Sequence, residues 1–223
     1  MKMRKAFLCA AALAAFTSRA HAEGETQPAH PAAAPAPERT EPNFVAQATA
    51  YVYFVPDSPD YVQPTVSFEH RFLHFEARYN YEDLKTGSAW VGAKVSGGDA
   101  VWWELTPMLG AVFGSTNGMA PGYKGAVGWW KLELYSEGEY VLDFSSGGDD
   151  FFFNWSELTL APVDWFRFGL MAQRTRVYST GRELDRGLIA GFSWGLASLT
   201  LHLLNPDDSK PIFILALGAT FES

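Results

Sequence analysis

The sequence predicts an all-β protein, an antiparallel transmembrane β-barrel of about twelve strands, over residues 44–223. Three observations lead there: period-two alternation of apolar and polar side chains from Phe44 onward, connections that alternate between tight and longer polar ones, and aromatic residues gathered at strand ends.

The chain opens with Lys2, Arg4 and Lys5, then the apolar run Ala6 to Phe16, then Ala20-His21-Ala22. This order of charge, apolar core and small residues is that of a secretory signal cleaved after Ala22, so residues 1–22 are expected to be removed. The run is far shorter than the roughly 20 residues a spanning helix requires. Cys9 lies inside it, so the mature chain has no cysteine, and disulfide and thiolate-metal chemistry are excluded. Nothing in the residues asks for a cofactor or a metal. The signal holds Lys2, Arg4, Lys5 and Arg19 and no acid, so its loss moves the formal charge from −8 to −12. An exported chain this acidic is not expected to bind nucleic acid. Residues 23–43 are rich in Pro and Ala and nearly empty of large apolar side chains, which predicts a disordered periplasmic tether reaching about 65 Å if extended.

Twelve strands are read near 44–55, 61–70, 72–83, 87–97, 100–114, 121–129, 131–144, 151–161, 165–178, 186–195, 197–205 and 211–221. The third shows the pattern: Leu73, Phe75, Ala77, Tyr79 and Tyr81 share one face, and His74, Glu76, Arg78, Asn80 and Glu82 the other. The seventh sets Leu132, Leu134, Tyr140 and Leu142 against Glu133, Glu137, Glu139 and Asp143. Tight connections fall near Arg71, Gly97-Gly98-Asp99, Trp130, Pro162-Val163-Asp164 and Leu196, and longer ones at 115–120, 145–150, 179–185 and 206–210. Membrane barrels show this asymmetry, and an even strand count returns both chain ends to the side of the short turns. Trp102, Trp103, Trp129, Trp130, Trp165, Phe166 and Trp194 are expected to form a girdle beside those turns. Tyr51, Tyr53, Tyr79, Tyr81, Trp90, Phe113, Tyr123, Tyr140 and Phe144 are expected at the opposite rim.

The last strand, with Phe213, Leu215, Leu217 and Phe221 on one face, resembles the carboxy-terminal assembly signal of outer-membrane barrel proteins, although Glu222 and Ser223 follow Phe221. Together with the signal and girdles, residues 44–221 resemble the small bacterial outer-membrane channels as a group. The resemblance implies an outer-membrane location, outer-membrane lipid as surroundings and the barrel assembly machinery as a partner.

With the polar face inward, the lumen wall would carry Glu69, Arg71, Glu76, Arg78, Glu104, Glu133, Glu137, Glu139, Glu157 and Arg167, paired across strands. Glycines at 92, 110, 114, 122, 128, 169, 187, 191 and 218 would leave the rest of that wall bare. Such an interior suits a narrow, weakly cation-preferring channel for small solutes, or a closed, salt-bridged structural barrel. Arg174, Arg176 and Arg186 fall on the lipid face by register and would contact lipopolysaccharide phosphates. A lipid hydrolase is disfavoured, since His202 and Ser198 share the lumen face and His70 stands alone on the apolar one. A soluble periplasmic barrel, apolar face inward, is the remaining alternative.

Overall fold

The computed structural model describes residues 43–145, 148–177 and 181–223. The expected signal (1–22) and the Pro/Ala-rich segment, Asn43 excepted, lie outside the described residues. Among the described residues thirteen strands form one antiparallel sheet: β1 (Phe44–Phe54), β2 (Tyr61–His70), β3 (Leu73–Tyr79), β4 (Thr86–Ala93), β5 (Val95–Gly98), β6 (Val101–Gly114), β7 (Gly118–Trp129), β8 (Leu132–Asp143), β9 (Phe151–Val163), β10 (Phe166–Val177), β11 (Gly181–Trp194), β12 (Ala197–Leu204) and β13 (Ile212–Glu222). β4 and β5 are one stave interrupted at Lys94, because both pair with β6, from Thr86↔Gly114 down to Gly98↔Trp102. The barrel therefore has twelve staves. It closes where β1 pairs with β13 from Val45↔Glu222 to Phe54↔Phe213. Closure leaves no free sheet edge, the condition for a sheet to stand in hydrocarbon. Glu222 belongs to the closing strand, and Ser223 exchanges backbone hydrogen bonds with Phe44 at 3.2 and 3.0 Å, so the two residues beyond Phe221 extend the seam.

At one end every connection has two residues: Arg71-Phe72, Asp99-Ala100, Trp130-Lys131, Asp164-Trp165 and Gly195-Leu196. Turns this tight demand left-handed backbone, and Arg71 (φ 55°), Trp130 (φ 55°) and Gly195 (φ 57°) supply it. The longer connections lie at the other end. They differ in detail from the sequence reading, because β11 begins at Gly181 and β7 at Gly118: hairpin pairing runs on through Thr175↔Glu183 and Val112↔Gly118, past the point where apolar alternation stops. Backbone hydrogen bonding does not depend on side-chain polarity, so such extensions are silent in a hydropathy pattern.

Sidedness is unambiguous. On β3, His74, Glu76 and Arg78 are buried within the barrel while Phe75, Ala77 and Tyr79 are exposed outside. Leu109, Phe113, Leu170, Leu188, Leu201 and Leu217 likewise line the outside. This excludes the apolar-inward arrangement of a soluble barrel.

Candidate functional site: the lumen and its wall

β3 aims His74, Glu76 and Arg78 into the barrel in one row, and each meets a charge from another stave. Lys94 bonds Glu69 (2.8 Å), and His74 bridges Glu69 (3.3 Å) and Glu76 (3.0 Å). Glu76 also accepts from Arg78 Nε and from Lys124 on β7, and Lys124 stands 3.7 Å from Glu137 on β8. Arg78 reaches Glu139 on β8 at 2.8 Å and lies 4.0 Å from Glu82. Its guanidinium carbon sits 4.1 Å from the Tyr81 ring centre and 4.6 Å from that of Trp90. A buried guanidinium is tolerable because its planar fork bonds carboxylates while its faces rest on rings. In the connection after β3, burial outweighs Arg78 and holds the Glu82 carboxyl above the ordinary carboxylate range.

A second knot forms around Glu157 on β9, which receives Trp155 Nε1–H (2.9 Å) and Arg167 (3.2 Å) and pairs with His202 (3.2 Å). Beside it aromatic side chains narrow the interior. Tyr51 on β1 meets Trp155 on β9, five staves away around the barrel, with ring centres 6.4 Å apart. Tyr81 meets Phe153 at 5.3 Å, and Tyr53 stacks on Tyr61 at 4.5 Å. Tyr53, Trp155, Met171, Leu204 and Ile214 make one buried cluster, and Trp90, Met108, Val112, Ala120 and Val141 another. Toward the long connections the interior opens into a cavity of about 770 Å³ bordered by Tyr61, Tyr81, Asp83, Gln173 and Asp185.

Of the charges expected on the lumen wall, Glu69, Glu76, Arg78, Glu137, Glu139, Glu157 and Arg167 enter these two knots. Glu104 and Glu133 are half-buried on the inner side nearer the short turns. Arg71 is instead exposed in the β2–β3 turn, where a left-handed conformation takes it out of the strand's alternation.

Two expectations are corrected. Three of the lumenal glycines, Gly110, Gly128 and Gly191, are seats rather than bare wall, whereas at Gly114, Gly169 and Gly187 a Cβ would meet neighbouring backbone. A Cβ on Gly110 would come within 2.6 Å of the Trp90 indole, one on Gly128 within 2.1 Å of Trp102, and one on Gly191 within 2.8 Å of Arg167 Nε. Large side chains lie flat over these positions, which is why the wall needs no side chain of its own there. The girdle also shrinks. Trp103, Trp129, Trp130, Trp165 and Trp194 are exposed outside at the short-turn end, and Tyr79, Phe113 and Phe144 face outward toward the other. Tyr51, Tyr53, Trp90 and Trp102 turn into the lumen because they hold the inward parity of their strands, and Tyr81, beyond the end of β3, turns inward because the left-handed Asn80 (φ 58°) breaks the alternation after Tyr79.

The outer wall carries one feature that the alternation hides. Ser136 and Asn154 occupy outward positions of β8 and β9, joined by Ser156 and by Tyr123 of β7 in a hydrogen-bonded network. The signal was available as a break in the apolar row Leu132, Leu134, Ser136, Gly138, Tyr140 of β8. The network contains no histidine. Among the three arginines expected on the lipid face, Arg174 is half-buried with its guanidinium carbon 5.8 Å from the Phe152 ring centre. Arg186 is exposed and paired with Asp207. Arg176 pairs by backbone with Phe152 and Arg182; its side chain lies outside the described residues.

No known family profile matches the chain, and no curated protein matches its sequence. Solved structures do. The KdgM porin superposes with a TM-score of 0.56 over 79% of this chain and 99% of its own, at 11% identity. The KdgM porin in complex with disordered oligogalacturonate gives 0.55 over 80% and 99%, also at 11% identity. The translocator domain of autotransporter NalP from Neisseria meningitidis covers 81% of the chain with a TM-score of 0.36. The chain thus has the closed twelve-stranded fold found in bacterial outer-membrane barrels.

Proposed function

We propose that the chain is an outer-membrane barrel whose lumen is a narrow, cation-favouring passage for small solutes, throttled at mid-height by its own side chains. The observation that carries this reading is the surplus of inward acids. Glu69, Glu76, Glu104, Glu133, Glu137, Glu139 and Glu157 face Arg78, Lys94, Lys124 and Arg167, and the long-connection mouth adds Asp83 and Asp185. A low-dielectric tube with an acid surplus concentrates cations at its wall and repels anions. Oligogalacturonate, held by one of the similar porins, is a polyanion, and this wall is unsuited to it.

A second reading, a closed structural barrel, is favoured by the contacts that cross the lumen, Tyr51 to Trp155 and Arg78 to Glu139. Conductance of the mature chain in planar bilayers separates the two, measured for wild type and for Trp155→Ala with Tyr51→Ala. The channel reading expects a small wild-type conductance with a cation-selective reversal potential, and a larger conductance of the same selectivity in the widened variant. Silence from both proteins establishes the closed barrel, and anion selectivity overturns the electrostatic argument.

A further inference from the structure

The lipid-facing network on β7 to β10 poses a physical question, since hydrocarbon offers polar side chains nothing to bond. Asn154 Nδ2 donates one hydrogen to the Glu137 carbonyl (2.8 Å) and shares the other between Tyr123 Oη (3.1 Å) and Ser136 Oγ (3.1 Å), and Ser156 Oγ donates to Asn154 Oδ1 (3.2 Å). Ser136 lies 3.0 Å from both Ser156 and Tyr123, so the hydroxyl protons run in one direction, Tyr123 to Ser136 to Ser156 to Asn154. Every donor is then used. What the network presents to the outside is acceptor capacity alone, the spare lone pairs of Asn154 Oδ1 and the Tyr123 oxygen. It fits a ligand that brings hydrogen-bond donors.

Two neighbours extend the site. Arg174 pairs in register with Asn154, and its Nε is buried without a hydrogen-bond partner. At about 2.5 Å of height per residue in a tilted strand, Arg174 stands about 22 Å above the Trp165 girdle, near the far edge of an apolar band about 25 Å tall. A phosphate there would meet the terminal nitrogens of the guanidinium. On the other side, Gly125 pairs with Ser136 and floors an outer groove of about 360 Å³ between Leu105, Val127 and Leu134. A Cβ on Gly125 would come within 3.3 Å of the Glu104 carbonyl and 3.5 Å of Leu105 Cδ1, so the glycine keeps the floor of the groove low.

Phosphate site and donor-seeking patch stand side by side near the upper edge of the wall, and the acyl-chain groove lies below them. We infer that this face binds the phosphorylated glycolipid of the outer leaflet, whose acyl chains are amide-linked and hydroxylated. The amide N–H and the hydroxyl are the donors that the network lacks; a glycerophospholipid ester has neither in its chains. The inference rests on an outer-membrane location and not on whether the lumen conducts.

The test is titration of the full mature barrel in detergent with bisphosphorylated lipid A, and separately with phosphatidylglycerol, read by native mass spectrometry. Wild type should prefer lipid A by about tenfold, as one charge-independent set of hydrogen bonds predicts. Arg174→Gln should weaken both lipids by about tenfold. Asn154→Leu should abolish the preference for lipid A and leave phosphatidylglycerol unchanged. Gly125→Leu, an outward substitution that fills the groove, keeps the question answerable if Asn154→Leu does not fold, and it should weaken lipid A. Equal affinity of wild type for both lipids overturns the inference. So does an unaltered affinity in Arg174→Gln, or disulfide-linked dimers of Ser136→Cys, which would assign the face to a second copy of the chain.

Discussion

Replacing Arg78 by glutamine tests whether one cation organises the interior. The side chain is 3% exposed and faces the carboxylates of Glu76 at 1% and Glu139 at 3%. Arg78→Gln leaves these carboxylates to find protons or water in a space that holds little of either. Removing one partner from a buried ion pair costs about 3–5 kcal/mol, chiefly through the charge left behind. Because the loss is an orphaned charge, removing an orphan should recover part of it. Arg78→Gln with Glu139→Gln should be more stable than the sum of the single changes by about 1–3 kcal/mol. Arg78→Lys should fall between, since a point charge restores Coulomb attraction without the fork that spans Glu76 and Glu139. Unfolding in denaturant, followed by tryptophan fluorescence of the detergent-held barrel, gives the midpoints. The slope should not change if the native fold is kept. A midpoint for Arg78→Gln within about 0.5 kcal/mol of wild type, the range of surface substitutions, would refute the hub. Strict additivity with Glu139→Gln would refute the pairing.

Other outcomes follow from particular contacts. Gly110→Val forces the Trp90 indole off its seat and away from its 2.9 Å bond to Ser88, so it should cost about 1–3 kcal/mol in the same unfolding measurement. Trimming Trp90 to leucine in that background should restore most of the loss, and an unrescued Gly110→Val would locate the strain elsewhere. The Glu82 carboxyl is held above its ordinary range by burial, so the fold keeps its proton where the unfolded chain has released it. Stability should therefore be full below the ordinary carboxylate range and decline as pH rises through the folded-state titration. Glu82→Gln should remove that component of the pH dependence in heat-modifiable gel migration; an unchanged profile would mean another group is responsible.

What the sequence by itself determined is the stave: alternation of period two, turns short at one end and longer at the other, and an apolar row broad enough to face lipid. These are local properties, since side-chain sidedness and turn length are written within a dozen neighbouring residues. Glu69, Glu76, Glu139 and Glu157 were legible as lumenal for that reason. Their partners were not. Arg78 and Glu139 are 61 residues apart and meet only because the staves close with a particular stagger. Tyr51 and Trp90 read equally well as rim aromatics until the register of β1 with β13 and of β4 with β6 assigned them inward. A glycine read alone looks like empty wall, and only the ring lying on Gly110 or Gly128 makes it a seat. The outward network of Ser136, Asn154 and Ser156 stayed hidden because each is one lapse in its own strand's pattern. Pairing of β7, β8 and β9 brings those lapses together, since adjacency across a sheet is a property of hydrogen-bond register and not of sequence distance.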